Sequence, residues 1–517
     1  MRSIRVRILA ICAVLIIAGV GAWQLLPSGE AGGKPITVGT VDEVTSLDPA
    51  GAYDAGSWSL FSNLYQTLMT FKSGAIVPEP DAAESCQFIG QKLTTYRCKL
   101  RDDLTFSNGH KITAKDVKYS FDRLMKINSD VGPAILFPSL RNVVTEGRDI
   151  TFNLSARDAT FPAKLATGAG AIVDPAAYPK DKLRTDNKVD GSGPYVLKSY
   201  EAGAKASMTP NTSYRGAIKA VNAAIDVQYY DSSDKLLAAW KAGDLDVTHR
   251  QLPPAEIAKI NPADPNVQIT EMDSAEIRNL VFNVREGSTF SDKRIRQAVA
   301  WIIDRGPLVS DVYDSTVEPL YSLIPQGFIG HSTPFFDTYP QPDADQARKL
   351  LQEAGVQIPV PITFAFRPDG STTAESAEIK RQLEADGLFK VTVKEVEWQA
   401  FQKGYAAGKY DAYTVGWLPD FPDPDTFGQP LVGSDNSLHN GYSNAKLDGL
   451  VTDTQQFEDR SRTSNDFKTI QEIVGDDVPL VPLWQKKDYV IAKTGISGSQ
   501  YLSDGTGLWR LWELKRI

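Results

Sequence analysis

Cysteine and histidine are scarce in this chain: its 517 residues hold three and four of them. His110, His249, His331 and His439 stand far apart and none belongs to a motif, so a zinc-protease H-E-x-x-H pattern is absent. No G-x-S-x-G elbow, no Walker A loop and no G-x-G-x-x-G after a strand occurs. With these go the common nucleophile, metal and nucleotide chemistries, and no catalytic residue, metal or cofactor is expected. A basic excess is also missing. Lysine and arginine total 55 against 64 acidic residues, a net charge of −9. The first 34 residues set Arg2, Arg5, Arg7 and Lys34 against Glu30 alone, so residues 35–517 carry 51 basic and 63 acidic groups, or −12. So acidic a body lacks the face that neutralises phosphates and argues against nucleic acid as a partner. There is no internal repeat and no low-complexity segment. A composition of 42% hydrophobic and 23% charged residues excludes a disordered chain, a coiled coil and a multi-span membrane protein. The length fits roughly three domains or subdomains at ~150 residues each.

The N-terminus is built differently. Arg2, Arg5 and Arg7 precede an apolar run from Ile8 to Trp23, followed by the small and polar stretch Pro27 to Lys34. A charged, an apolar and a small-residue region in that order read as an export signal, cleaved after it has acted. The competing reading is a retained membrane anchor, although the run is short for a bilayer span of ~20 residues. Either way the body lies outside the cytoplasm. Cys12 follows Leu9-Ala10-Ile11 inside the apolar run and is not placed for lipidation. The two remaining cysteines, Cys86 and Cys98, then sit in an oxidising compartment, where a disulfide is the default. They flank two strand-like runs, so a bridge would clip a hairpin and stabilise it by about 3 kcal/mol. A metal pair is the weaker alternative, with no second Cys or His pair nearby.

Along the body, strand and helix signals alternate. Ile36-Thr-Val-Gly39 opens as a strand, and Leu60, Leu64 and Leu68 give Ser57–Met69 helical spacing. After the turn Ser107-Asn-Gly109, Thr113 is placed to cap a helix with Asp116 reaching back, and Val117, Phe121 and Leu124 share one face. Residues 143–154 alternate like one half-buried strand. Breakers at Asp190–Pro194 precede strands at Tyr195 and Ala223–Tyr230, then a short helix Lys235–Lys241 closed by Gly243. Leu280–Asn283 reads as a buried strand, and Asp292 starts a helix with Ile295, Val299, Ile302 and Ile303 inside. Helices Ala344–Glu353 and Glu375–Ala385 bracket the strand Pro361–Phe366, and another strand follows at Val391–Val396. Such alternation predicts an α/β architecture.

One cluster carries chemistry: Trp417-Leu-Pro-Asp420-Phe-Pro-Asp423-Pro-Asp425. Three carboxylates alternating with prolines make a rigid surface turn the plain reading. A calcium loop fits less well, because no Gly or downstream Glu has EF-hand spacing. The functional reading is a fixed carboxylate beside an aromatic wall, suited to a ligand ammonium group.

At this point a resemblance enters. The block Tyr96-Arg-Cys-Lys-Leu-Arg101 through Phe106, Gly109, Thr113-Ala-Lys-Asp116-Val117 to Phe121 is similar to the signature of the peptide-binding receptors of bacterial ABC importers, the oligopeptide and dipeptide type of solute-binding protein. Leu47-Asp-Pro49, Gly191-Ser-Gly-Pro-Tyr195, Asn211–Tyr214, Phe282-Asn283 with Asp292–Val299, and Asp477–Leu483 agree as well, and the likeness covers about 35–517. It implies a two-lobed α/β receptor that closes on ligand by a hinge. One lobe would be 35–66, 189–274 and 487–517, with an inserted domain at 67–188, and the other 275–486. Trp417-x-x-Asp420 matches the family pattern whose Asp pairs with the ligand ammonium, Trp398 matches a pocket aromatic, and Arg367 sits where dipeptide-type members keep an Arg for the ligand carboxylate. Residues Tyr53 to Gly56, with Ala55 among them, match the segment whose backbone pairs with the peptide as an added strand. The implied function is capture of a short peptide by a monomer and delivery to the transmembrane subunits of an ABC permease. An opine, a metal chelate or an oligosaccharide in the same fold is the first alternative. A hydrolase or a signalling receptor outside the cytoplasm remains behind it.

Overall fold

A computed structural model describes residues 33–249, 252–368, 370–503, 505–506 and 508–517. The segment that carries the export signal or anchor, 1–32, lies outside them. Among the described residues no helix is long and apolar enough to cross a membrane.

The frame is one eleven-stranded sheet. Its strands are β1 (Ile36–Thr40), β2 (Tyr195–Glu201), β3 (Lys205–Pro210), β4 (Ile225–Tyr229), β5 (Val247–His249), β6 (Val267–Phe282), β7 (Val317–Pro319), β8 (Val360–Phe366), β9 (Phe389–Glu395), β10 (Ala412–Trp417) and β11 (Leu480–Lys493). They lie in the order β9-β8-β10-β6-β11-β5-β1-β4-β3-β2, with β7 also on β11. β1 runs parallel to β4 and β5, and β8 runs parallel to β9 and β10. The crossovers between parallel strands are helical, as the alternation in the sequence requires.

Two long antiparallel strands hold the halves together. β6 and β11 pair from Val267↔Lys493 to Val281↔Leu480, with register shifts between Asp273 and Ile277 and between Arg278 and Asn279. The apolar side chains divide there. One core takes residues from Ile36 to Val247 and from Val490 to Leu514, and a second takes Ala275 to Trp484. A β-bulge bends a strand and raises its twist, so the shifts fall where the chain passes from one core to the other. His249, fully buried on β5, bonds Asp488 of β11 at 2.9 Å, a structural use of a histidine that no motif claimed.

A separate antiparallel sheet lies within the segment that includes the cysteines, in the order Ala83–Phe88, Thr95–Leu100, Asp149–Leu154, Leu140–Glu146. Helix Ala114–Ile127 buries Val117, Phe121 and Leu124 on it, and Asp116 accepts from the Thr113 N–H at 2.7 Å, as the capping pattern predicted. Cys86 and Cys98 stand directly opposite each other in the first hairpin and are bonded.

Several expected bounds move. Residues 143–154 are two strands turned at Gly147, whose φ of +56° lies in the left-handed region a glycine adopts without strain. The first helix is Ala55–Leu64, begun two residues before Ser57 because the Asp54 carboxylate accepts from the Ser57 N–H at 2.8 Å. It ends at Tyr65, which is extended, so Leu68 joins the core from beyond the helix. Ile302 and Ile303 likewise follow the end of helix Lys293–Ala300 and are buried there. Helix Thr372–Glu384 starts three residues before Glu375.

Replacing both Cys86 and Cys98 by serine is expected to destabilise the protein by about 3 kcal/mol, from the loop closure the bridge supplies to the unfolded chain. Urea unfolding of the oxidised protein and the double variant measures it.

Candidate functional site

Between the second core and a smaller apolar cluster of Leu236, Leu245, Leu252 and Ile491 opens a cavity of about 590 Å³, within the size range of small-molecule sites. It lies beyond the ends of the parallel strands, where α/β sheets place their ligands. Val41 follows β1, Thr248 lies on β5, and Arg367 follows β8. The crossing strands form its floor through Glu276 and Arg278 of β6 and Trp484, Lys486, Lys487 and Tyr489 of β11.

Charge in this cavity is mostly neutralised in place. Glu375, with no exposed surface, accepts from Arg278 Nε at 3.0 Å, Tyr313 Oη at 2.9 Å and Trp484 Nε1 at 2.8 Å. Burial, then Glu375, holds the Tyr313 phenol far above its ordinary range, so it stays a donor. Lys486 pairs with Glu276 at 3.1 Å, and Lys487 with Glu271 at 3.1 Å. Arg367 differs. It is half-buried, lies over the Trp398 ring with its guanidinium carbon 5.5 Å from the centroid, and makes no ion pair to a carboxylate among the described residues. The geometry is a cation–π contact that commits one face of the guanidinium. Trp398 opens helix Trp398–Ala406 and is half-buried against the second core.

The second set of expected residues meets elsewhere. Asp420, 9% exposed, accepts from Tyr53 Oη at 2.8 Å, a bond across 367 residues of sequence. Burial pushes the Asp420 carboxyl up to about 7, against the lowering effects of the Tyr53 bond and of Lys164. Burial likewise raises the Tyr53 phenol, with Asp420 adding to it. Trp417 ends β10, and its indole N–H donates to the Thr426 carbonyl at 2.8 Å, which ties down the loop between them. The carboxylates of this loop are all buried, so it is no surface turn. Asp423 is claimed by Arg460 in a two-pronged pair at 2.7 and 2.9 Å, which leaves it unsuited to a cation. Among the described residues no group of three or more His, Cys, Asp or Glu is arranged to hold a metal.

Asp420, Tyr53 and Trp417 do not line the 590 Å³ cavity. The structure pairs Arg367 with Trp398 and Tyr53 with Asp420, and sets these pairs at the ends of neighbouring parallel strands: Ala365 is level with Tyr413, so β8 and β10 both run out in the same direction toward Arg367 and the Asp420 loop. Neighbouring strands lie about 4.8 Å apart. Tyr53 brings its hydroxyl to Asp420. Ala52 and Asp54 are extended, but Ala55 starts the helix and its carbonyl accepts from Ser59 Oγ at 2.7 Å. An added strand along Tyr53–Gly56 therefore stops before Ala55.

Sequence reading missed Arg278, Glu375 and Trp484. A signal existed for Arg278: Glu276 and Arg278 alternate with buried Ala275 and Ile277 just before the apolar end Leu280-Val-Phe282 of the strand. Glu375 and Trp484 lie 109 residues apart, and nothing local joins them. Glu375→Gln, which removes the charge facing Arg278, is expected to destabilise by about 2–3 kcal/mol in chemical unfolding.

The model of the bacterial extracellular solute-binding proteins, family 5 middle, matches residues 77–439. The chain is 26% identical over 481 residues to the probable D,D-dipeptide-binding periplasmic protein of Escherichia coli, covering 90% of each. A solved Helicobacter pylori periplasmic binding protein in complex with the peptide STSA superposes with a TM-score of 0.82 at 21% identity, over 93% of this chain and 98% of that one. An A. tumefaciens periplasmic binding protein in complex with agropinic acid gives 0.81 at 19% identity, over 93% and 99%. The two-lobed fold, the interlobe cavity and the match over most of the body together assign this chain to the bacterial extracellular solute-binding proteins of family 5.

Proposed function

We propose that this solute-binding protein captures a short peptide between its lobes outside the cytoplasm and hands it, unchanged, to the permease subunits of an ABC importer. The lobes are 35–66 with 189–274 and 487–517, carrying the insertion 67–188, and 275–486; they close about β6 and β11. The division of the apolar core at these strands supports that boundary. The peptide reading is supported by the relative's name and the STSA complex.

The observation that carries the reading is the charge balance. In and around the cavity, Arg278 and Lys486 are matched by Glu375 and Glu276, while Arg367 lies over Trp398 and pairs with no carboxylate among the described residues. Across the same edge of the sheet Asp420 is buried under a neutral hydroxyl. Arg367 and the buried Asp420 would then receive the two charged ends of a zwitterionic main chain. Arg367 takes the carboxylate through paired N–H donors, and Asp420 takes the ammonium, sharing it with Tyr53. A ligand held by its two ends leaves its side chains to the rest of the cavity, where contact is looser and water can mediate it.

A thermal-shift screen tests the class of ligand, since a ligand that binds only the folded state raises the melting temperature. Shifts with di- and tripeptides that vanish on N-acetylation support the reading. Shifts with opines, chelates or oligosaccharides alone overturn it, and peptide turnover would overturn the carrier role.

Asp420→Asn is expected to weaken peptide binding by about 2–5 kcal/mol, because the ammonium loses its buried partner; calorimetry measures it. The same substitution should stabilise the unliganded protein at pH 8. A carboxyl raised in the folded state contributes stability below its unfolded value that is lost as pH rises toward about 7, and Asn removes that loss. Peptide affinity should also fall as pH drops below about 7, since Asp420 must give up a proton to accept the ammonium.

A further inference from the structure

A ligand stretched from Asp420 to Arg367 meets the 590 Å³ cavity at one end only, because Arg367 lines it and Asp420, Tyr53 and Trp417 do not. The residue that brings its carboxylate to Arg367 therefore brings its side chain to the cavity. What the cavity offers that side chain depends on which parts of the lining groups are already spent on the protein.

One wall is aromatic, with its polar tips withdrawn. The rings of Tyr313 and Trp484 stand 4.9 Å apart, and both side chains donate to the same oxygen of Glu375, at 2.9 and 2.8 Å. Glu375 has no exposed surface and does not line the cavity. The phenol and indole donors are thus committed behind the wall, and ring carbon is what faces in. A second wall is aliphatic. Leu252 and Ile491 of the smaller apolar cluster line the cavity together with Val41 and Ile257, which pack on that cluster. Several polar groups of the lining are bonded within the protein. Arg278 pairs with Glu375 and Lys486 with Glu276, and the hydroxyls of Thr316 and Thr372 donate to the carbonyls of Tyr313 and Arg367 at 2.6 and 2.8 Å. An ionised side chain entering here loses water and meets charges already matched. An apolar one covers apolar area, and an aromatic one also meets ring faces.

We propose that the cavity is a specificity subsite for the ligand's carboxylate-terminal residue and selects a large apolar or aromatic side chain there, with Tyr313, Trp484, Val41 and Ile257 setting the choice. The inference rests on the reading of Arg367 as the carboxylate partner. It goes beyond that reading, in which the two main-chain ends alone are recognised and side chains are held loosely. Here the position of a side chain decides affinity as well as its kind, so Ala-Phe and Phe-Ala are unequal ligands. A small side chain at the carboxylate end leaves both walls wet and forgoes the area they would bury. Glu375 gains a second use, since holding two donors away from the cavity keeps the aromatic wall apolar.

The test is calorimetry with the dipeptides Ala-X and the tripeptides Ala-Ala-X, X being Gly, Ala, Leu, Phe, Asp or Lys. Phe-Ala serves as the positional control, and the C-terminal amides of the Phe peptides as the control for Arg367. Leu and Phe at X are expected to bind about tenfold or more tighter than Ala, from the added apolar area. Asp and Lys should bind no tighter than Ala, and Ala-Phe should bind several-fold tighter than Phe-Ala. Val41 and Ile257 are half-buried, so Val41→Thr and Ile257→Gln make the aliphatic wall polar at nearly constant size. Each is expected to narrow the Phe-to-Ala ratio several-fold while Ala-Ala binds as to wild type, and Ile257→Leu should keep the ratio. Equal affinity for every X, tighter binding of Asp or Lys than of Leu, or variants that weaken Phe and Ala peptides by the same factor would overturn the inference and leave Arg367 in its role. Amides that bind as tightly as the free acids, or no binding by any of these peptides, would remove the reading beneath and the inference with it.

Discussion

A carboxylate taken out of water must find a positive partner or give up its charge, and that constraint shapes the contact between the lobes. Tyr53 donates to Asp420 from 367 residues away, the charge of Lys164 lowers the Asp420 carboxyl, and Phe421 packs in the first core while most of its neighbours in sequence pack in the second. Hydroxyl and lysine lessen the cost of burying Asp420 without removing it. Under the proposed function, the ammonium group of the ligand supplies the positive charge this site is short of. The same logic, with signs reversed, applies to Arg367, which is stacked on Trp398 while its neighbours Arg278 and Lys486 have been neutralised.

The rest of the molecule serves to bring these groups together and let them separate. β6 and β11 are long enough to belong to both halves, and their register shifts fall between the two cores. The cavity floor lies on the same strands, through Arg278, Trp484 and Lys486. The Glu375 hub binds two of these to the helix after β8.

Local chemistry was readable from the sequence, and long-range pairing was not. The Thr113–Asp116 cap, the Cys86–Cys98 hairpin clip and the alternation of strands with helices each rest on residues a few positions apart, and each stands in the structure. The hairpin at Gly147 was hidden because alternation continues through it. Asp54 gave a helix-capping signal ahead of Ser57, yet the resemblance drew the eye to an added strand at Tyr53–Gly56. Asp420 and Arg367 could be singled out by motif, but their partners could not. Tyr53 reaches Asp420 from 367 residues away, and Glu375 is satisfied by three side chains from three separate segments.

A crystal structure of the protein with the solute that it retains on purification tests the central claim most directly. The account predicts an amine nitrogen within about 3 Å of an Asp420 carboxylate oxygen, and a carboxylate on the Arg367 fork. A solute seated in the cavity while Asp420 keeps Tyr53 as its contact and meets no amine would contradict it.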